Sequence, residues 1–405
     1  MSDTKPKPQP KSLAVGAALT ALVAMGQVSM SMYTPSMPAI ARAFEASTQD
    51  VNLTFTVFLA AFAMAQLIYG PLSDRYGRRR VLMGGIVFYI LTSALCMLAP
   101  SLEWLIAGRF FQALGACSGP IVGRAMVRDI YGGRGAAKAM AYIGLAFSVS
   151  PALTPVIGGF MQAWFGWQAN FAVLAIFGVF LLLTVWFMVP ETHDTKGVRI
   201  DVRKMAANYR LLLCDPIVMG HILCVSLVFG GLMTFVAVAP FIFMNGMGLA
   251  PEVYGTLPAM SVIGMVIGNL MVGRYTLRIG LERMQGAGLL AAVAASAMMC
   301  GFALSGVVGI AVIIAPFGVF LFGVGLIFPN AMAGAMAPHP QAAGAASALI
   351  GFFQIGAGAI AGRIAGLLPQ TDQLPMAWMM VGLTLSALVV FVSLVWPNRP
   401  KEIRS

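Results

Sequence analysis

Residues 70–80 read GPLSDRYGRRR, and residues 273–283 read GRYTLRIGLER. Gly70, Arg75, Gly77 and Arg80 fall on Gly273, Arg278, Gly280 and Arg283. Each segment is short and basic and has apolar runs on either side, 51–70 and 81–99 in the first case, 254–272 and 285–305 in the second. An apolar run of about 20 residues crosses a bilayer as a helix. The segments are therefore tight charged loops between successive spans, and their recurrence half a chain apart marks an internal duplication.

Read outward from these loops, the chain holds twelve apolar runs: 13–34, 51–70, 81–99, 103–127, 139–162, 169–189, 216–243, 254–272, 285–305, 310–334, 342–367 and 376–396. Period-2 alternation is absent from them, which excludes a β-barrel and leaves helices. The expected fold is an all-α membrane protein with twelve transmembrane helices in two six-helix bundles, residues 1–195 and 215–405. A charged cytoplasmic linker is expected at 196–214. Lys5, Lys7 and Lys11 ahead of Leu13 resemble the start of a signal peptide, but the apolar run continues without a small-residue cleavage site and reads as the first span.

Composition agrees. Of 405 residues, 10% are charged and 59% hydrophobic, and the mean hydropathy is +0.87. Soluble globular proteins carry about 25% charged residues. An ordinary soluble enzyme, a disordered chain and a secreted disulfide scaffold are thereby excluded. Cys96, Cys117, Cys214, Cys224 and Cys300 form no CxxC and no metal spacing, and read as small core residues. The net charge of +11 has a topological explanation. Lys and Arg collect in cytoplasmic loops. With the N-terminus inside, 21 of the 25 basic residues fall in inner segments, Arg42 alone lies outside, and Arg109, Arg124 and Arg363 fall within spans. Both termini are thus expected in the cytoplasm, and no nucleic-acid partner is needed.

The Gly70–Arg80 loop resembles the signature of the major facilitator superfamily, G-x-L-a-D-r-x-G-r-r. Gly70 would let the second span approach a neighbour closely. Asp74 supplies a carboxylate for a helix N-terminus or an arginine, and Arg75 and Arg78 supply partners for carboxylates or headgroups. The second copy has Leu277 in place of the acid. Within the superfamily the chain resembles the Bcr/CflA-type drug-efflux branch. The resemblance rests on Tyr33–Ile40 (YTPSMPAI), Arg109–Gly115 (RFFQALG), Arg124–Tyr131 (RAMVRDIY) and Pro151–Gly159 (PALTPVIGG). It rests also on Gly166–Phe171 (GWQANF), Pro190–Thr192 (PET) and Gly325–Ala331 (GLIFPNA). Pro151, Pro155, Gly158 and Gly159 match the fifth-span antiporter motif, with Thr154 where a glycine is usual. The resemblance implies a monomeric, multi-pass transporter of a bacterial inner membrane. It implies export of drug-like small molecules, driven by the proton motive force without a cofactor.

Polar residues inside spans are costly and read as functional. Arg109 and Gln112 share a helix face, and Arg109 is expected either to face a central cavity, binding substrate or coupling to ions, or to satisfy a structural partner. Arg124 snorkels, pairs with Asp129 or meets substrate. Gln27, Ser31 and Thr34 form a stripe beside Tyr33, and Ser347 and Gln354 form another. His221, near the start of the seventh span, reads as interfacial or structural rather than as a proton site. Phe58, Phe62, Phe147, Phe235 and Phe352 are candidates for an adaptable cavity wall. All 14 acids lie outside the deep spans, and Ser31 stands where the family often has Asp. The cavity should be positive and favour neutral, zwitterionic or anionic compounds over cations. Rival readings are uptake or export of one organic anion or metabolite by the same fold, or a membrane-embedded enzyme or receptor. The sequence offers no metal or nucleophile constellation and no Walker loop for the last class.

Overall fold

The computed structural model describes residues 13–192, 202–369 and 372–398, with the backbone alone over 13–14, 133–148, 202 and 204. The first half contains α1 (Leu13–Ser31), α2 (Met37–Ala43), α3 (Thr48–Tyr76), α4 (Arg78–Met97), α5 (Leu102–Ala116), α6 (Ser118–Phe165) and α7 (Trp167–Met188). After α8 (Val202–Cys214) come α9 (Pro216–Pro240), α10 (Pro251–Ile279), α11 (Leu281–Leu304), α12 (Ile310–Met336), α13 (Ala343–Leu367) and α14 (Leu374–Val390). No strand occurs among the described residues. Eleven helical segments there are long and apolar enough to cross a membrane, which makes this a multi-pass membrane protein. The twelfth expected span, 139–162, is helical within α6, with its side chains described from Val149 onward.

The 48 residues of α6 cannot be one straight rod. At 1.5 Å per residue it would be about 72 Å long, more than twice the apolar thickness of a bilayer. Its packing on α1 shows the reversal. Gly119 lies against Leu22, Gly123 against Val23, and Tyr131 against Gly16, moving toward the start of α1. Gly158 then meets the carbonyl of Met32 at the opposite end. The chain turns at Gly132, whose φ is +53°. The fourth span is likewise split, with α5 ending at Ala116 and α6 beginning at Ser118.

The duplicated loops share a backbone as well as a sequence. Gly77 between α3 and α4 has φ +97°, and Gly280 between α10 and α11 has φ +96°. A side chain at either place would be strained. The end of the molecule carrying these turns is the basic end, and the opposite one is the far end. Helix starts are capped locally. Ser47 accepts from the Asp50 N–H, Ser101 from the Trp104 N–H, and Asp215 from the N–H groups of Ile217 and Val218.

α1–α7 pack mainly on one another, as do α9–α14. The halves meet along two seams, α3 with α13 and α6 with α10. Among the described residues, the side-chain hydrogen bonds between them lie at the far end. Asn52 Nδ2 donates to Ala237 O at 3.0 Å, and Arg363 NH1 to Gln49 O at 3.0 Å. The α6–α10 seam is reciprocal. A Cβ on Gly159 would run into Pro251 O, and one on Gly255 into Pro155 O. Within the second half, α10 meets α12 in the same manner, Gly264 against Gly318 O and Gly325 against Met265 O. α8 lies inside the expected linker, with Leu212 buried and Arg203 and Arg210 exposed. The linker's expected start at 196 lies outside the described residues.

Candidate functional site

At the basic end, the left-handed turn at Gly77 leaves the first N–H groups of α4 without helical partners. Arg78 N and Arg79 N donate to the two oxygens of Glu191, at 2.9 and 3.1 Å. A carboxylate at a helix N-terminus also meets the positive end of the helix dipole. Arg78 NH1 contacts Asp74 Oδ1 and its Nε contacts Asp129 Oδ2, both at 2.8 Å. Asp129 Oδ2 also accepts from Thr192 Oγ1 at 3.2 Å, and Arg79 NH2 donates to Trp186 O at 2.7 Å. Arg75 lies over Tyr76 at 5.1 Å. This network ties α3, α4, α6 and the end of α7 together. Asp74 takes an arginine, and the helix N-terminus goes to Glu191. The expected close approach at Gly70 is not observed, because a Cβ there would meet nothing within 4 Å.

Arg78 is the hub. Asp74 and Asp129 are 47% and 25% exposed, so each pair contributes only about 0.2–1 kcal/mol. Arg78→Ala removes both pairs and should cut transport about tenfold. Asp74→Asn leaves Asp129 on Arg78 and should cut it less. Transport rates in reconstituted vesicles decide the order, and equal losses would remove Arg78 from the hub position.

Arg109, on α5, is fully buried and has no exposed surface. The expectation that it faces a central cavity is not met in this conformation. Its guanidinium is sandwiched between the rings of Phe58 and Tyr33, at 4.0 and 4.1 Å from their centroids. NH1 donates to Gln112 Oε1 at 2.6 Å and to Ser29 O at 3.2 Å, while Nε and NH2 make no hydrogen bond. Gln112 Nε2 donates to Ser93 Oγ at 2.8 Å, and Tyr33 Oη bonds Thr54 Oγ1 at 3.2 Å. No carboxylate touches Arg109 among the described residues. Ring faces and carbonyl oxygens hold the charge in place of a counter-ion.

The Major Facilitator Superfamily model matches residues 18–362. The chain belongs to that superfamily. A bicyclomycin resistance protein homolog of Haemophilus influenzae is 28% identical over 380 residues, covering 91% of this chain and 93% of its own. Multidrug resistance protein D of Escherichia coli K12 is 28% identical over 381 residues, covering 93% of each. A crystal structure of a bacterial homolog of the human lysosomal transporter Spinster, in an inward-facing and occupied conformation, matches with TM-score 0.68 over 94% of each chain. At 14% identity that likeness concerns the fold alone. Superfamily members are transporters and not enzymes.

The remaining candidates of this transporter are dispersed over both halves. Gln27 Nε2 donates to Ser31 Oγ at 3.0 Å, and Thr34 Oγ1 to Ser31 O at 2.8 Å, so the α1 stripe partly satisfies itself. Arg124 is part-exposed and its Nε donates to Pro120 O at 2.8 Å. Its expected partner Asp129 is taken by Arg78. Pro151, Pro155, Gly158 and Gly159 lie on the second limb of α6, where Pro155 and Gly159 form the seam with α10 and Gly158 packs on Met32, just past the end of α1. Gln354 and Phe352 are part-buried on α13, whereas Phe235 is buried against Phe317. Phe147 lies outside the described side chains. His221 is not interfacial. It is buried in the second half, with Nδ1 2.8 Å from Gln285 Oε1 and its ring against Gly334. Glu191, Asn52 and the buried Gln66, which abuts Gly351 across the α3–α13 seam, were not among the sequence candidates. Only Glu191 had a signal, its place in PET.

Proposed function

We propose that this transporter exports small, chemically varied toxic molecules by alternating access, with protons moving in the opposite direction. The observation that carries this reading is the unequal joining of the two ends. At the far end, hydrogen bonds and a reciprocal glycine seam join the halves. At the basic end, the Arg78 network lies within the first half. Halves held together at one end by contacts without charge pairs can exchange that closure for one at the other end. The names of the drug-resistance relatives support the substrate class. The described acids lie at helix ends, so proton coupling runs through Asp74 and Asp129, through His221, or through the substrate.

A drug-susceptibility panel in a pump-deficient bacterium tests the reading. Raised resistance supports export, and raised sensitivity to one compound indicates uptake. No change across the panel, with the protein present in the membrane, rejects it.

The basic count supports a cytoplasmic position for the basic end. A reporter fused after Lys204 should be cytoplasmic, and one in the loop 245–251 external. The opposite labelling would invert every assignment of side.

A further inference from the structure

Between the two seams, α1 packed on α6 connects them in the first half and α9 packed on α12 connects them in the second, so the two pairs stand on opposite sides of the centre. The pairs differ in chemistry. On the first, Gln27 and Arg124 are part-exposed. Arg124 donates its Nε to Pro120 O and has no carboxylate partner among the described residues. Arg109 adds a second uncompensated positive charge behind α1. On the second, α12 presents Phe328, Met332 and Met336 at one-turn spacing, each part-exposed. They lie between the α12 face that packs on α9, where Phe229 and Phe328 are 6.2 Å apart, and the face that packs on α10 at Gly325.

The described carboxylates stand clear of this space. Glu45, Asp50, Glu103, Glu252 and Asp372 are at the far end, and Asp74, Asp129, Glu191, Asp215 and Glu282 at the basic end. Asp74 and Asp129 are already bound to Arg78. A positive site in a low-dielectric, partly enclosed space attracts anions and repels cations. At an effective dielectric constant near 20, one charge about 7 Å away changes affinity by more than tenfold in either direction. Methionine and phenylalanine accept apolar bodies of many shapes.

We propose that the central space takes amphipathic organic molecules with an anionic or zwitterionic head, and that Arg124 selects the head while Phe328, Met332 and Met336 hold the apolar body. This rests on the export reading and names its substrate class. It places charge selection on Arg124 and not on the buried Arg109. A permanent organic cation meets two arginines that have no carboxylate partner among the described residues, and is rejected.

Three xanthene dyes of one shape separate charge from size: fluorescein as the anion, rhodamine 110 as the zwitterion, and its methyl ester rhodamine 123 as the cation. Binding to the purified full chain in zwitterionic-lipid nanodiscs is read by fluorescence anisotropy. Fluorescein and rhodamine 110 should bind about tenfold or more tightly relative to rhodamine 123. Arg124→Gln should reduce that ratio to about threefold or less, and Arg124→Glu should invert it. Met332→Ala should weaken all three alike. Elution profile and melting curve identify variants that are not folded, and Arg124→Lys, which keeps the charge, should retain the preference. Equal binding of rhodamine 123, a ratio unchanged in Arg124→Gln, or binding of none of the dyes overturns the inference. Dye transport in energised inverted vesicles separates the two claims. Selective binding without transport defeats the export reading and leaves the selectivity standing, whereas selective pumping of rhodamine 123 does the reverse.

Discussion

Gly159→Val or Gly255→Val is expected to reduce transport about tenfold to a hundredfold while the protein still reaches the membrane in normal amount. Both glycines sit where a Cβ would collide with a backbone carbonyl of the other half, Pro251 O for Gly159 and Pro155 O for Gly255. A carbonyl fixed in a helix cannot rotate away as a side chain does, so α6 and α10 must separate. Overpacking of this kind costs about 1–3 kcal/mol. Applied to a seam between halves, that cost falls on the closed far end and not on the fold of either half, and it shifts the balance of conformations. The neighbouring Gly158 is the internal control. Its Cβ would strike Met32 O, within the first half. Gly158→Val should therefore lower the amount of folded protein. Immunoblots of membranes together with vesicle transport separate the two outcomes. Wild-type transport by a chain with valine at both 159 and 255 would show that the seam does not open.

Arg109→Met should abolish transport and leave the unfolding temperature equal or higher. The guanidinium is fully buried, leaves Nε and NH2 unbonded, and has no carboxylate partner among the described residues. Two ring faces at 4.0 and 4.1 Å return about 2 kcal/mol each when desolvated, and charge-assisted hydrogen bonds to Gln112 and Ser29 return a further 1.5–3 each, roughly. Against this stands a desolvation cost of several kcal/mol, and apolar replacement of buried charge is often neutral or stabilising. Gain and cost are thus of the same order, and a loss of transport without a loss of stability would place Arg109 in the transport cycle. Arg109→Lys should fail as well, because an ammonium cannot stack flat between two rings. Thermal melts and vesicle transport measured on the same preparations decide it. Full transport by Arg109→Met would reduce the arginine to packing.

The fold was legible because each span is a long apolar run and the loop at 70–80 returns at 273–283 with the same glycine. The left-handed turns at Gly77 and Gly280 show that the repeat extends to the backbone. The site was less legible. Helical spacing put Arg109 and Gln112 on one face but said nothing of which neighbour covers that face, and Tyr33 arrives from the turn after α1 and Phe58 from α3. Glu191 reaches the start of α4 from 113 residues away, a distance over which no local pattern operates. Asn52 looked like any polar residue at a span's start, and its partner Ala237 O is a backbone atom that sequence does not distinguish. Arg124 was placed on the right helix, and what changed its meaning was the loss of Asp129 to Arg78.

α10 has glycine against backbone on two sides, Gly255 toward α6 and Gly264 with Gly268 toward α12. Helices whose side chains interlock as ridges in grooves resist sliding, because each ridge must climb out before the next can enter. A glycine face has no ridge. Along both contacts α10 rests on smooth strips of main chain, held by many weak close contacts that change little with a small axial shift. In mechanical terms α10 is a bearing: it carries load between the two halves and offers low friction to displacement along its length.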